Sequence, residues 1–199
     1  LGRVIVVSII AGFGTVQIAA NGVANSLDSM GCIVGQAMNL AMITVIGRCV
    51  GAGDSGQVRY YTKKLLKITY LCTFMVNSVI LLCLPWILKC YGLSTETTQL
   101  SYILVMIHNG MAMFLWPASF VLPNMLRACN DVRFTMVLSI FSMFMFRIGF
   151  SYIIGVNMGY GAIGVWIAMV LDWIFRVICF VSRYLSGHWL KTAELKDNR

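Results

Sequence analysis

Acidic side chains are scarce in this sequence. Asp and Glu number 7 in 199 residues against 15 Lys and Arg, and charged residues of both signs make up only 11%. There are 2 histidines, and they form no Ser/His/Asp order and no metal-ligand spacing with the other residues. Neither an enzyme nor a metal centre is therefore expected. Gly51-Ala-Gly53-Asp54 lacks the Lys-Ser/Thr that a phosphate-binding loop needs, so ATP is not expected as a driving ligand. The 7 cysteines (Cys32, Cys49, Cys72, Cys83, Cys90, Cys129, Cys179) include no C-x-x-C pair and fall mostly in apolar stretches. That excludes a disulfide framework and suits small apolar packing. The first residues lack the basic, apolar and small-residue order of a signal peptide.

What is abundant is apolar. Hydrophobic residues make up 59% of the chain and the mean hydropathy is +0.83, where an ordinary soluble domain runs nearer about 45–50%. Five stretches, at about 28–47, 68–88, 102–122, 134–156 and 161–182, approach or exceed the roughly 20 helical residues that cross a hydrocarbon core. The bases alternate between their connections. Arg48, Arg59, Lys63, Lys64 and Lys67 follow the first stretch, and Lys89 stands alone in the next connection. Arg127 and Arg133 come after the third, no charge lies in 157–160, and Arg183, Lys191, Lys196 and Arg199 follow the fifth. Basic residues gather on the cytoplasmic side. The connections 48–67 and 123–133 and a tail at 188–199 are thus expected in the cytoplasm, with 1–187 embedded in the cell membrane. The net charge of +8 reflects this topology and an attraction to anionic membrane lipid. The bases form no stripe with interleaved aromatics, so no nucleic-acid partner is expected.

Two readings of the N-terminus are open. Residues 4–24 form a complete span turning at Asn25–Asp28, or 4–13 closes a truncated helix and a long helix runs from about 17 to 47. Along the rest of the chain, Gly51 to Gly56 reads as a turn in which Asp54 caps the next helix. Val58–Lys67 has the pattern of an amphipathic helix on the inner interface, and Ser94-Thr-Glu96 reads as a helix start. Pro117 and Pro123, six apart on one span, are expected to kink it. Gly161 and Gly164 would let the last helix pack closely.

Ionisable groups inside spans are costly and mark function. Counted inward at about 1.5 Å per residue, Asp28, His108, Arg147 and Asp172 fall in one layer about 12–15 Å deep. Asp28 reads as an ion-binding carboxylate or as a cap before Ser29. His108 reads as a titrating group or as a buried neutral one, with Asn109 beside it. Arg147, Asp172 and Arg176 read as a structural charge network, Asp172 pairing one turn on with Arg176 or across helices with Arg147. Gln36 and Asn39 line a cavity or bond between helices. Met38, Met42, Met106, Met113, Met143 and Met145 are candidates for an adaptable apolar wall.

Several segments carry a family resemblance. Gly47-Arg-Cys-Val-Gly51-Ala-Gly53-Asp54 follows one span, and Pro117…Leu122-Pro123-Asn-Met-Leu-Arg127-Ala-Cys-Asn-Asp131 ends another. Gly164-Val-Trp166-Ile-Ala-Met…Asp172-Trp173…Arg176 and Arg183-Tyr-Leu-Ser-Gly187-His-Trp189 complete the set. In order and spacing the chain resembles the multidrug and toxic compound extrusion (MATE) transporters over nearly its whole length. The resemblance implies twelve helices in two six-helix lobes, exporting cationic or amphipathic compounds in exchange for Na⁺ or H⁺, with no other cofactor. It assigns this chain to the C-terminal lobe with its first helix truncated. The implied partners are the N-terminal six-helix lobe of the same chain and a small-molecule substrate. It also favours the long helix starting near Gln17.

The chain departs from the family in one respect. Members that couple through this lobe often carry acids on its first and fourth helices, whereas 4–13 holds none and 102–122 offers only His108 and Asn109. Coupling then rests on the missing part of the first helix or on the other lobe. A lipid-linked saccharide flippase of related architecture is the alternative, but it needs a markedly cationic cavity and only Arg147 and Arg176 are embedded. A membrane-embedded enzyme would need paired acids at one depth.

Overall fold

The computed structural model describes residues 2–195, with side chains from Val4 onward. Lys196 and Arg199, counted above with the basic tail, lie outside the described residues. The fold is all-α: α1 Gly2–Ala11, α2 Thr15–Gly51, α3 Ser55–Cys90, α4 Thr95–Ala128, α5 Val132–Asn157, α6 Gly161–Leu185 and the short α7 His188–Thr192. Helices α2 to α6 are each long and apolar enough to cross a membrane, and the chain is a multi-pass membrane bundle.

The break after Ala11 decides between the two N-terminal readings. Gly14 takes φ 104, a conformation that side chains disfavour, and α2 then runs unbroken from Thr15 to Gly51. Asp28 therefore lies inside a helix, and the capping role at Ser29 is excluded.

The connections are shorter than the sequence suggested. The expected 48–67 loop contracts to Ala52–Asp54, and Arg59, Lys63, Lys64 and Lys67 belong to the first turns of α3. At about 1.5 Å per residue, the 36 residues of α3 reach about 54 Å, well past a hydrocarbon core of about 30 Å. A surface helix and the protruding end of a spanning helix share one amphipathic period, and no breaker separates Lys67 from Ile68. The expected 123–133 loop likewise contracts to Cys129–Asp131, with Asn130 at φ 64. The expected tail begins as α7, which buries Trp189 and Leu190 against the bundle. The two expected helix starts are present: Asp54 Oδ1 accepts from the Gln57 amide at 3.0 Å, and Ser94 Oγ accepts from the Thr97 amide at 3.3 Å.

Proline shapes α4. Pro117–Val121 switches to i→i+5 hydrogen bonding, and the Leu122 amide donates to the Pro117 carbonyl before ordinary α geometry resumes. A wide turn of this kind accommodates proline's missing N–H inside a span. Helix α5 widens in the same way over Met143–Asn157.

The core forms two clusters. One, at the end rich in bases, includes Met42, Ile46, Val58, Met125, Leu126, Phe180 and Trp189. The other, toward the opposite end, includes Ile10, Leu27, Leu84, Leu104, Val165 and Trp166. In α4 and α6, 56% of the most apolar stretch is buried, against 11% in α5, so α4 and α6 form the middle of the bundle. Gly164 presses on α5 as expected: a Cβ there would come within 2.8 Å of the Ile154 and Gly155 backbone.

Candidate functional site

A cavity of about 650 Å³ opens among α1, α2, α4, α5 and α6. Its walls combine Val6 and Val7 with Asn21, Asn25, Asp28, Cys32 and Gln36 on α2. His108, Trp116 and Phe120 come from α4, Arg147 from α5, and Met169 and Trp173 from α6. The volume falls in the range of about 300–1,000 Å³ that holds drug-sized ligands, and the lining sets Trp116, Phe120 and Trp173 against a larger set of polar and charged side chains.

At its centre Asp28 Oδ1 lies 3.0 Å from His108 Nδ1, the acid 15% exposed and the imidazole 1% exposed. Neither ring nitrogen makes an aligned hydrogen bond among the described residues, so the contact is a close approach rather than a directed bond. Cys32, one turn along α2, donates its thiol to the same carboxylate oxygen at 3.5 Å. Two indoles enclose the imidazole, with centroids 4.5 Å away for Trp166 and 4.3 Å for Trp173. Trp166 is itself fixed, its Nε1 donating to Asn21 Oδ1 at 3.1 Å. Gln17 Oε1 accepts from the Ala162 amide at 2.9 Å and ties the start of α6 to α2.

The remaining predicted residues divide. Gln36 and Arg147 line the cavity with Asp28 and His108. Asn39 and Asn109 do not line it. Asn39 Oδ1 accepts from Asn124 Nδ2 at 2.9 Å, and Asn124 in turn accepts from Arg127 Nη1 at 3.1 Å. Asn109 is fully buried on the far side of α4, donating to Asn77 Oδ1 at 2.9 Å. Asn39 thus takes the bond between helices that the sequence left open beside cavity lining, whereas Asn109, expected at the cavity, takes another face of its helix. Asn77 was missed altogether, although it is the one carboxamide in the apolar 68–88 stretch.

Asp172 also stands apart from the cavity. It pairs with Arg176 Nε at 3.0 Å, and Ser142 Oγ donates to the same carboxylate oxygen. Arg176 further donates to Ser142 Oγ at 3.2 Å and to the Ser139 carbonyl at 3.2 Å, and lies over the Phe120 ring. Of the two partners open to Asp172 in the sequence, the one a turn away is realised, while Arg147 turns to the cavity. The methionine wall does not form there. Met42 and Met113 are core, Met106 and Met145 are exposed on the outside, and Met169 is the methionine lining the cavity.

The glycine motif serves the turn between α2 and α3. Gly47 and Gly51 lie in the last turns of α2, Gly53 takes φ 72, and Asp54 caps α3. At the same end, Arg183 grips the buried Asp131 with two bonds of 2.7 and 3.1 Å, a pairing that sequence reasoning did not anticipate. Beside it, burial pushes the Cys129 thiol up to about 12, with the charges of Asp131 and Cys49 adding to the shift.

The chain matches the MatE family model over residues 1–153. It is 22% identical over 186 residues to the "Probable multidrug resistance protein NorM" of Thermotoga maritima, an alignment covering 94% of this chain and 40% of that protein. It is 23% identical over 194 residues to the "Uncharacterized transporter YisQ" of Bacillus subtilis, covering 96% of this chain and 42% of the relative. The chain thus spans about two fifths of the length of these curated relatives.

Proposed function

Because the chain belongs to the MatE family, we propose that it forms one lobe of a two-lobe secondary antiporter. That antiporter exports cationic or amphipathic compounds in exchange for Na⁺ or H⁺. The observation that carries this reading is the cavity in which an aromatic wall surrounds the Asp28–His108 pair. The Asp28 carboxylate on the cavity wall attracts an organic cation. A proton or Na⁺ bound at the pair removes that attraction. Drug and coupling ion then compete for one locus, which is the requirement for exchange. Arg147 on the cavity wall offsets part of the acid's charge and keeps the affinity moderate, so that release is possible.

Alternating access requires a second bundle against which this one rocks, and an N-terminal six-helix lobe of the same full-length chain is the partner. The end bearing Arg59, Lys63, Lys64 and Lys67 faces the cytoplasm of the cell membrane by the distribution of basic residues, with α7 and the C-terminus on that side. The cavity holds a single guanidinium, too little positive charge to favour a pyrophosphate-linked cargo. The test is ethidium efflux by the full-length transporter in proteoliposomes under imposed pH or Na⁺ gradients. Asp28→Asn is expected to weaken efflux and flatten its dependence on the gradient at normal protein levels. Wild-type behaviour of that variant at every pH and Na⁺ concentration would remove Asp28 from the mechanism.

A further inference from the structure

Asn77 is fully buried in α3 and does not line the cavity. A carboxamide in this position must bond inside the protein, because the surrounding hydrocarbon offers nothing. It uses both donors and its acceptor. Nδ2 donates to the Gly31 carbonyl of α2 at 3.3 Å and to the Thr73 carbonyl of its own helix at 2.9 Å. Oδ1 accepts from Asn109 Nδ2 of α4 at 2.9 Å. One side chain therefore ties three helices at a single level.

The fit around it is close. A Cβ on Gly31 would lie 2.4 Å from Asn77 Oδ1 and 3.0 Å from Asn109 Nδ2, so only glycine lets α2 approach the carboxamide pair this nearly. The two anchor points also have particular neighbours. Gly31 is one turn from Asp28 on α2, and Asn109 directly follows His108 on α4. The clamp grips the same two helix segments that present the Asp28–His108 contact to the cavity, yet Asn77 bonds neither member of that pair.

We propose that Asn77, acting through Gly31 and Asn109, is a positioning residue that holds α2 and α4 in the register at which Asp28 and His108 meet, and so sets the affinity for the coupling ion. The proposal rests on the reading of Asp28 as the coupling acid. Electrostatic interaction falls with distance, so a displacement of α2 against α4 by about 1 Å at this level alters a 3.0 Å contact and the site it offers a cation. Arg147 on α5 and the Asp172–Arg176 pair on α6 are the other charged groups in this part of the bundle, and none of them bonds Asn77.

The experiment uses the full-length transporter in proteoliposomes, with ethidium as the transported probe and Na⁺ and H⁺ varied separately. Asn77→Leu alone leaves Asn109 without its bond, so the double variant Asn77→Leu/Asn109→Leu is the informative one. Replacing both partners with apolar groups removes the unsatisfied group and spares stability. The double variant is expected to retain its membrane level and thermal stability. The cation concentration for half-maximal efflux should shift about tenfold, the size of an ordinary coupling free energy. Gly31→Ala, which drives the carboxamide away, should reproduce that shift. A stable double variant with wild-type cation dependence overturns the clamp, and so does a change in the KM for ethidium alone. Asp28→Asn, run in parallel, separates the two ideas. If it too leaves cation dependence unchanged, the reading of Asp28 fails; if it abolishes that dependence while the double variant does not shift it, the clamp alone fails.

Discussion

The Asp28–His108 and Asp172–Arg176 pairs each join an acid to a base inside the bundle, yet their surroundings differ. Asp172 is wholly buried, meets a guanidinium that carries its charge at any pH, and shares a hydroxyl with it. Asp28 is partly open to a cavity and meets an imidazole whose two nitrogens make no aligned hydrogen bond among the described residues. One pair is tied by directed bonds to Ser142 and Ser139 of α5, with Asp172 Oδ2 making none among the described residues, which suits holding α5 against α6. The other lies at a cavity with access for an ion, which suits a change of state. In a membrane both arrangements look alike as sequence, so charge alone does not separate structural from functional acids.

The difference predicts contrasting losses. The largest belongs to the buried pair. Asp172→Ala leaves Arg176 uncompensated and should cost about 3–5 kcal/mol, seen as a much lower midpoint of thermal unfolding in detergent and little protein in the membrane. Asp28→Asn should lower gradient-driven ethidium efflux about tenfold while changing stability by no more than about 0.5 kcal/mol. If both variants unfold alike, the distinction between the pairs collapses. A smaller effect is expected for Arg176→Lys. The ammonium keeps the charge but loses the planar reach to Ser139 and the face of Phe120, at about 1–2 kcal/mol. Transport per folded molecule should not change.

The thiols sharpen the same contrast. Cys32, only 5% exposed, touches the cavity beside Asp28, whereas Cys129 is fully buried away from the cavity and its thiol is pushed up to about 12. The thiolate is the reactive form, and a thiol pushed up this far carries very little of it at pH 8. A small maleimide should therefore modify Cys32 in a drug-protectable way and leave Cys129 untouched until the protein is denatured. Rapid native labelling of Cys129 would contradict the burial assigned to that turn.

Much of the fold was legible because spanning helices announce themselves through apolar length, and the caps at Asp54 and Ser94 announce themselves chemically. Gly164 was readable as a point of close packing for the same reason. The extent of the connections was less readable, since the amphipathic start of α3 carries the same period as an interfacial helix. At the site, counting depth brought Asp28, His108 and Arg147 to one level but also included Asp172, which faces away. Asn109 was placed at the cavity and Asn77 was overlooked, because rotation about a helix axis depends on packing partners that lie dozens of residues away.

The central claim is that drug and coupling ion compete at the Asp28–His108 pair. Its most direct test is the equilibrium affinity of ethidium for the purified full-length transporter, measured across a series of pH values and Na⁺ concentrations for the wild type and Asp28→Asn. Wild-type affinity should fall as the coupling ion is added, and the affinity of Asp28→Asn should be weaker and flat across the series. A variant that keeps the wild-type dependence on the ion would contradict the account.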